Sequence, residues 1–369
     1  MTPLDIVVIG LSLSSSWGNG HATTFRSLLR GMNSLGHRTL FLECDRPWYA
    51  QNRDLPDPDF CDFALYDDVA HLARRFGARI AAADAVIVGS YVQDGVAALD
   101  AALRLAPGRT SFYDIDTPVT LAKLDRGEED YVAARQIPCL AAYFSFTGGP
   151  TLDRLERRFG AAHALPLYCS VEPERYRNTG AAQRWDLGYL GTYSADRQPT
   201  LERLLIEPAR RLPDRRFVVA GPQYPGDIAW PDNVERIAHL PPAQHADFYS
   251  AQRYTLNVTR ADMIAAGWSP SVRLFEAAAI GTPILSDAWD GLEALLPGGV
   301  AIARGTTDVV AALEDDDDGA RLVMAAAAQR IVLADHTGLA RAGQLAQALR
   351  RLKDWQLDGR QNRALAARA

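Results

Sequence analysis

The sequence predicts an α/β protein with two doubly wound parallel sheets, each in its own domain. Short apolar runs with strand character alternate with helical stretches along the chain, which is typical of parallel α/β layers. The 369 residues suffice for two domains that each bury a core. Apolar residues make up 48% and charged residues 23%, as in ordinary globular proteins.

The first series of elements begins with a buried strand at residues 6–10. A polar loop at residues 12–20 follows, and then a helix over residues 22–35. Gly36 and His37 turn the chain into the next strand. Further strands are predicted at residues 39–43, 85–89, 110–113 and 143–146.

A second series follows a linker predicted at residues 171–185. Its strands are expected at residues 187–190, 216–220, 234–237, 254–258 and 284–286, with helices at 201–212 and 242–251. The expected organisation is an N-terminal domain at residues 1–178, a C-terminal domain at 179–338 and a helical tail at 339–369 packing across a domain edge. Because such sheets bind ligands at the carboxyl ends of their strands, the predicted site is a cleft between two facing domains.

Composition excludes several classes of function. The net charge is −6 and no block of Lys and Arg is present, so nucleic acid is not an expected partner. The four cysteines have no close pairing, which indicates free thiols in a reducing compartment and no zinc. The N-terminus lacks a signal-peptide pattern, and no apolar run reaches transmembrane length. A cytoplasmic protein is therefore expected, with the acidic run at residues 314–318 in solvent.

The most informative segment is residues 269–287. Pro270 suits the first turn of a helix, and Gly281 with Pro283 ends that helix. The free N–H groups at the helix start, residues 271–273, form a potential anion site. Glu276 follows within two turns and can accept hydrogen bonds from ribose hydroxyls. A solvated glutamate on an ordinary amphipathic helix is the alternative.

Three loops that follow predicted strands add polar groups to this half. The first loop supplies Thr192, Tyr193 and Arg197, whose guanidinium can bind phosphate through two hydrogen bonds. Gly221 and Pro222 form the second loop, where glycine lets a ligand approach the backbone. Leu240 lies in the third, where main-chain groups could contact a base edge. Each loop alone is equally consistent with an ordinary polar surface.

The second half resembles CgeB-type (spore-maturation-type) glycosyltransferases, which have the two-domain GT-B architecture. The segments that carry the resemblance are SVRLFEAAAIGTPILSDAWDGLEALLPGG, WDLGYLGTYSADRQP, VAGPQYP, TLNVTRADM and AQRIVLADHTGLARAGQLAQAL. The resemblance implies transfer of a sugar from a nucleotide-activated donor, with Glu276 on the ribose. The residues that it places around the diphosphate are Ser271, Arg273, Thr192, Tyr193 and Arg197.

The chain departs from the retaining GT-B pattern of two glutamates separated by seven residues. The position eight before Glu276 holds Trp268, and Gly267 and Ser269 beside it carry no carboxylate. A retaining mechanism that depends on that first glutamate is therefore not expected.

The opening of the chain, GNGHATTFRSLLRGMNSLGHRTLFLE, resembles that of inverting UDP-glycosyltransferases. His21 and His37 have the spacing of the loop and turn histidines of those enzymes, so His21 is the predicted general base. Its orienting carboxylate is predicted to be Asp116, with Asp114 as the alternative. A structural His21 that only bonds backbone is the other interpretation. The D-x-D formed by the two aspartates could hold a metal, but the GT-B architecture usually works without one.

The acceptor side is predicted around the loops after the first two strands. Asp45, Trp48 and Tyr49 follow the second strand and Trp17 follows the first. Aromatic faces stack on sugars, although aromatic residues beside a proline are equally often packing anchors. The Gly18–Gly20 loop lacks the G-x-G-x-x-G spacing, which argues against a nicotinamide dehydrogenase.

The sequence thus predicts a metal-independent, inverting GT-B glycosyltransferase with no cofactor besides a nucleoside-diphosphate sugar of UDP or TDP type. The acceptor is left open among a sugar, a lipid-linked molecule, a protein and a small molecule. Two alternatives remain: a non-hydrolysing nucleotide-sugar epimerase, and a nucleotide-sugar-binding partner protein without turnover.

Overall fold

The structure, a computed structural model, describes residues 2–17, 20–315 and 317–366. The chain forms two compact units. The first contains residues 1–170 and 338–369, and the second contains Val171–Thr337. The predicted boundary after residue 178 falls inside the second unit, and the predicted tail is part of the first unit.

The first unit contains a parallel sheet of seven strands in the described residues. Its strands are β1 (Asp5–Gly10), β2 (Arg38–Cys44), β3 (Asp62–Tyr66), β4 (Ala85–Gly89), β5 (Thr110–Asp114), β6 (Tyr143–Ser145) and β7 (Ala164–Pro166). Their spatial order is β3-β2-β1-β4-β5-β6-β7. The chain changes direction across the sheet between β1 and β4, so loops at the carboxyl ends of these two strands border a crevice.

The second unit contains a parallel sheet of six described strands. They are β8 (Trp185–Leu190), β9 (Phe217–Ala220), β10 (Val234–Ile237), β11 (Gln252–Asn257), β12 (Ile284–Ser286) and β13 (Ala301–Ile302). The spatial order is β10-β9-β8-β11-β12-β13, with the change of direction between β8 and β11. The predicted fold class of two parallel-sheet α/β domains is confirmed.

Helices cover both faces of each sheet. In the first unit they are α1 (His21–Ser34), α2 (Pro47–Ala50), α3 (Val69–Ala82), α4 (Gly95–Leu105), α5 (Thr117–Asp125) and α6 (Pro150–Arg157), with a 3-10 segment at Ala134–Cys139. The second unit contains α7 (Gln198–Leu201), a π-helical turn (Glu202–Ile206), α8 (Glu207–Arg211), a 3-10 turn (Pro242–Gln244), α9 (His245–Ser250), α10 (Ala261–Ala266), α11 (Val272–Ile280), α12 (Leu292–Leu295), α13 (Thr306–Glu314) and α14 (Asp318–Asp335). The last helix, α15 (Gly338–Ala366), returns to the first unit.

The apolar runs of the strands are continuous because both faces of each sheet are buried. On β1, Val7 and Ile9 enter the core on one face, and Ile6 and Val8 enter the core on the other. Helix α15 completes that second core with Leu345 and its apolar neighbours. No helix in the described residues is long and apolar enough to span a membrane.

Two glycines allow α15 to pack closely on α1. A Cβ on Gly31 would lie 2.4 Å from the carbonyl oxygen of Gly338, and a Cβ on Gly338 would lie 2.4 Å from that of Ser27. The backbones therefore touch where any side chain would keep them apart.

At the ends of the second unit, Val171 N donates to His336 O over 2.9 Å, and Val171 pairs with Thr337 in a parallel bridge. The two ends of the second unit are thus adjacent.

Candidate functional site

Helix α11 of the second unit begins with an uncapped first turn. Ser271 is the N-cap residue, but its hydroxyl does not bond the amides of its own helix. It donates instead to Asn257 Oδ1, 2.9 Å away at the end of β11. The positive end of the helix therefore lacks the usual side-chain acceptor, and its amides can bind an anion.

A buried polar network holds this helix start in place. Asn257 Nδ2 donates to Ser286 Oγ over 2.9 Å and to Thr259 Oγ1 over 3.1 Å. Asp287 accepts hydrogen bonds from the amide and the hydroxyl of Thr259 at 2.8 and 2.7 Å. Burial raises the pKa of Asp287. The network joins the carboxyl ends of β11 and β12 to Ser271, so the helix start is rigidly placed.

Arg273, in the first turn of α11, presents an open guanidinium. It makes no hydrogen bond or ion pair with the described residues, and none of its nitrogens is a buried unpaired atom. Its guanidinium carbon lies 5.3 Å from the centre of the Tyr189 ring, a cation–π contact. A Cβ on Gly191 would lie 3.0 Å from Arg273 Nη2, so glycine leaves the space that this side chain fills. The guanidinium is therefore held by an aromatic face while its donors remain available.

Arg197 supplies a second cation beside Arg273. Its Nη2 donates to the Thr192 carbonyl over 2.7 Å, whereas its Nε is buried without a partner. Burial, together with the charge of Arg273, lowers the pKa of Arg197, but a guanidinium stays protonated at any physiological pH. Across the described part of the chain no carboxylate forms an ion pair with either arginine. Two neighbouring cations without a carboxylate form an anion site.

The loops that follow β8 and β9 are locked together. Tyr193 N donates to Pro222 O over 3.0 Å, and the Tyr224 hydroxyl donates to Gly191 O over 3.1 Å. Gly221 has a φ of +141°, and a Cβ there would lie 2.1 Å from Gly191 O. Glycine is therefore required at this crossing. Thr192 and Pro222 lie exposed on the surface that the two loops present.

Glu276 is 7% exposed, and the oxygen Oε2 of its side chain is already engaged. The Tyr249 hydroxyl donates to Oε2 over 3.3 Å, and His245 Nδ1 lies 3.9 Å from the same oxygen. Glu276 also interacts with the Tyr176 hydroxyl, and after burial its charge and a hydrogen bond to it raise the pKa of that phenol. The other oxygen, Oε1, is not a buried unpaired atom.

His245 connects Glu276 with the third predicted loop. Its Nε2 lies 3.4 Å from the Leu240 carbonyl, and its Nδ1 lies 3.5 Å from the Tyr176 hydroxyl. Burial lowers the pKa of His245, so the ring is neutral at pH 7. The sequence analysis did not identify Tyr176, His245 or Tyr249. The spacing of His245 and Tyr249, four residues apart on a predicted helix, was the available signal.

Trp268, eight residues before Glu276, serves a structural role. Its φ of 47° is left-handed, and its amide donates to Asp290 O over 2.6 Å. A Cβ on Gly291 would lie 2.4 Å from the indole, so this glycine makes room for the ring.

In the first unit, His21 is the first residue of α1 and has a largely buried ring. Burial lowers its pKa to about 4, and its Nδ1 is buried without a hydrogen-bond partner among the described residues. The ring meets Tyr91 edge-on, with centroids 5.2 Å apart. The neutral imidazole can accept a proton.

The predicted hydrogen bond between His21 and Asp116 is not formed. Asp116 instead accepts a hydrogen bond from the Tyr91 hydroxyl over 3.0 Å. The ring of the same tyrosine packs edge-on against the His21 imidazole. The alternative orienter, Asp114, accepts from Tyr143 Oη at 2.5 Å and Thr120 Oγ1 at 3.0 Å. Burial raises the pKa of Asp114 to about 6.

The other histidine of the base prediction is also placed. His37 Nδ1 accepts from Leu4 N over 3.0 Å, a structural contact at the start of β1. Nowhere in residues 2–17, 20–315 and 317–366 do three His, Cys, Asp or Glu side chains gather as a metal site would require.

The loop after β1 is fixed by buried charges. Glu43 accepts from Leu13 N at 2.6 Å, and from the amide and hydroxyl of Ser14 at 2.9 and 2.7 Å. Arg26 forms a bidentate ion pair with Asp54, with both distances 2.8 Å. These contacts fix Leu13 and Ser14 in the described part of this loop.

The four predicted acceptor residues divide into two exposed and two engaged side chains. Trp17 and Trp48 are 56% and 47% exposed. Ser15 Oγ donates to the Asn52 carbonyl, and Asn52 Nδ2 donates to the Trp48 carbonyl, both over 2.7 Å, so the two tryptophan-bearing segments adjoin. Tyr49 is buried, and Asp45 pairs with Arg53 at 2.6 Å.

Comparisons with known proteins agree with this geometry. Residues 197–347 match a family model described as glycosyl transferase-like, a span that contains Arg197, Arg273 and Glu276. The fold is similar to that of sucrose-phosphate synthase from Thermosynechococcus elongatus, with a TM-score of 0.69 and 12% identity, covering 95% of this chain and 99% of that one. The chain therefore has the fold of GT-B glycosyltransferases.

Two other solved structures are similar to this chain. AviGT4, a glycosyltransferase involved in avilamycin A biosynthesis, matches with a TM-score of 0.64 and 17% identity, over 95% of this chain and 98% of that one. An α,α-trehalose-phosphate synthase (UDP-forming) from Burkholderia vietnamiensis matches with a TM-score of 0.64 and 11% identity over the same shares. Among curated proteins, none matches this sequence significantly. None of the matches described is of CgeB type, so that narrower assignment stays a prediction.

Proposed function

We propose that the second unit binds a nucleoside-diphosphate sugar through the first two turns of α11. The observation that carries the proposal is the open guanidinium of Arg273, which lies beside the buried, unpaired Nε of Arg197. A buried guanidinium nitrogen without a partner is costly unless an anion compensates it. A diphosphate supplies that anion, and the uncapped amides of α11 add donors to it.

The remaining donor contacts follow from the placement of the loops. Thr192 and Tyr193 border the diphosphate from one loop, and Gly221 and Pro222 from the other. Ser271 contributes its backbone amide rather than its hydroxyl, because the hydroxyl is bonded to Asn257. Glu276 accepts from the ribose. Leu240, tied to Glu276 through His245, presents main-chain groups to the base.

The leaving group requires stabilisation of negative charge as the glycosidic bond breaks. Arg197, Arg273 and the start of α11 provide positive charge and hydrogen-bond donors where this charge develops. We therefore propose that transfer proceeds without a metal ion.

His21 is the proposed general base, in an inverting transfer. The acceptor hydroxyl gives its proton to the imidazole while its oxygen attacks the anomeric carbon from the face opposite the diphosphate. The bond between the anomeric carbon and the phosphate oxygen breaks, and the nucleoside diphosphate leaves with the electron pair. The low pKa of His21 keeps the ring neutral and ready for this role. The Tyr91 phenol, held by Asp116, positions the ring.

The acceptor is proposed to stack on the exposed faces of Trp17 and Trp48. Large exposed aromatic side chains on adjoining segments suit the apolar faces of a sugar ring. Asp45, on the same side, can accept a hydroxyl hydrogen bond besides its ion pair with Arg53. Tyr49 supports this surface from the core.

The test is release of nucleotide from a panel of UDP-, TDP-, GDP- and ADP-sugars offered with simple sugar acceptors. UDP-sugars head the panel because the similar trehalose-phosphate synthase is described as UDP-forming. We expect one nucleotide series to be bound and turned over, and Glu276→Ala to weaken its binding. Binding of no nucleotide sugar, or unchanged affinity in Glu276→Ala, would contradict the proposal.

A further inference from the structure

Helix α14 exposes a face that carries almost no charge. The helix spans Asp318–Asp335, and its buried residues, Ala325, Ala328 and Val332, lie on one side. The exposed residues on the opposite side fall within about 120° of arc, because an α-helix has 3.6 residues per turn. These residues, which we call the α14 stripe, are Gly319, Leu322, Val323, Ala326, Arg330, Leu333 and Ala334.

The α14 stripe has the composition of a contact surface. Leu322, Val323 and Leu333 are 54%, 71% and 41% exposed. Arg330 is the only charged residue of the stripe. A surface helix ordinarily has charged and polar residues on its solvent side, and a helix that is apolar on both sides is usually buried. A second molecule that covers the stripe is therefore expected.

Charged groups without partners lie at two separate places along this surface. Arg330 is exposed and makes no hydrogen bond or ion pair with the described residues. Glu314 and Asp315, just before the helix, are also exposed and form no ion pair with a described residue. Arg330 lies about 18 Å along the helix axis from the helix start at Asp318. The cation and the two carboxylates are therefore too far apart to meet within one chain.

We propose that the α14 stripe is the interface of a homodimer, in which α14 packs antiparallel on its own copy about a twofold axis. An axis near the middle of the apolar segment places Leu322 of each chain against Ala326 of the other. The same axis brings Arg330 of each chain to the acidic helix start of the other, so an ion pair forms at both ends. A parallel pair would instead bring like charges together.

The distribution of charge favours a second copy over a different partner. A basic partner helix would leave Arg330 without a carboxylate, and an acidic one would leave Glu314 and Asp315 without a cation. A reversed copy of the same helix satisfies both. The 18 residues of α14 form a strip about 27 Å long, which covers less than the roughly 800 Å² per partner of a stable complex. The dimer is therefore weak, with a dissociation constant on the order of 10 µM.

Sedimentation velocity of the full chain over about 1–500 µM tests the proposal, because this range brackets that constant. We expect the mean mass to rise from one chain toward two. Arg330→Glu should weaken association about tenfold or more, since it removes both ion pairs and sets carboxylate against carboxylate. Arg211→Glu makes the same change at an exposed arginine of α8 and should leave association unchanged. A wild-type chain that stays monomeric at about 500 µM overturns the proposal.

Two further variants test the antiparallel arrangement. Arg330→Glu combined with Asp315→Arg exchanges the two charges and should recover association, because the ion pair forms again with the opposite polarity. Val323→Glu puts a charge into the apolar middle of the interface and should abolish association. Its melting temperature should stay that of the wild type, since Val323 is 71% exposed within one chain.

Leu35→Glu is the matched control for Val323→Glu, because Leu35 is an exposed apolar residue just after α1 in the first unit. Absence of recovery in the double variant, or equal association of Val323→Glu and Leu35→Glu, overturns the proposal. These measurements need no nucleotide, so their outcome is independent of the proposed function.

Discussion

The hydroxyl of Tyr91 donates to Asp116 over 3.0 Å from a backbone in the left-handed region, with φ of 62°. A non-glycine residue in this region stores about 1–3 kcal/mol of strain, which the surroundings must offset. The same phenol ring contacts His21 edge-on. One strained residue thus connects a carboxylate with the proposed base.

Replacing Tyr91 with Phe should lower kcat about tenfold and leave nucleotide affinity unchanged. The aromatic ring against His21 remains, but it loses its hydrogen bond to Asp116. The ring is then held less firmly, and the imidazole that it contacts is less well positioned. Steady-state kinetics and calorimetry together measure this split. Tyr66→Phe is the control, because the Tyr66 hydroxyl is buried without a partner. Equal losses of kcat in the two variants would argue against a positioning role for Tyr91.

His21→Ala should reduce kcat by about 10²-fold or more while the dissociation constant of the nucleotide changes little. The reason is that general base catalysis is lost, whereas the donor contacts lie in the second unit. His71→Ala, which removes a histidine from helix α3, controls for nonspecific effects. Near-normal turnover of His21→Ala would eliminate the inverting mechanism with this base.

The pH profile should reflect the depressed pKa of His21. The imidazole must be neutral to accept a proton, so kcat/KM should hold from pH 8 down to about pH 5 and fall only near the pKa of about 4. The free energy of unfolding should also depend on the protonation of His21. In the unfolded chain the imidazole binds a proton near pH 6.5, whereas in the folded chain it does so only near pH 4. The contribution of His21 to stability is therefore complete above pH 6.5 and is lost as the pH falls toward 4.

The stability part of this prediction is measured as a difference. Thermal unfolding of the wild type and of His21→Gln at pH 7 and pH 5 isolates the contribution of this residue. The wild type should lose more stability than the variant on acidification. Equal losses would mean that His21 titrates alike in the folded and unfolded chains.

Arg273→Ala should weaken binding of the nucleoside diphosphate about 10- to 150-fold, the range for loss of a charged hydrogen-bond pair. Binding of the corresponding nucleoside, which lacks phosphate, should change little. Calorimetry with UDP and uridine measures the two effects. Arg211→Ala removes an exposed arginine from the same unit and is the control. Equal weakening for UDP and uridine would place Arg273 away from the diphosphate.

Gly221→Ala should destabilise the protein by about 1–3 kcal/mol, since the new methyl would meet Gly191 O at 2.1 Å from a backbone with φ of +141°. The expected result is a lower melting temperature and weaker nucleotide binding, because the two loops must separate. Gly226→Ala is the matched control, since nothing lies within 4 Å of the position that its methyl group would take. A melting temperature equal to that of the control would contradict the packing described for Gly221.

The sequence is sufficient to predict the strands that alternate with helices, because continuous apolar runs leave few other folds. It also indicates the helix that carries Arg273 and Glu276, since proline and glycine mark the two ends of α11. The short edge strands β7 and β13 were not predicted, because two or three residues show no periodicity. Strand β3 was missed as well, since only its last residue is fully buried.

The contacts within the sites depend on tertiary packing and could not be inferred. Asp116 and His21 are both polar residues at helix starts, and nothing in their neighbouring sequence shows that Tyr91 would come between them. Likewise, the occupation of Oε2 of Glu276 by Tyr249 requires α9 and α11 to pack side by side. Sequence pattern identifies which side chains have the right chemistry, whereas packing decides which of their atoms remain available.

The return of α15 to the first unit makes residues 171–337 a domain insertion whose two ends meet at Val171 and Thr337. This segment can be excised as one contiguous piece, and its termini would already be neighbours. A fragment that stops at Ser170 would instead uncover the groove at Gly31 that receives Gly338. Expressing the first half on its own therefore calls for a short graft that joins residue 170 directly to residue 338.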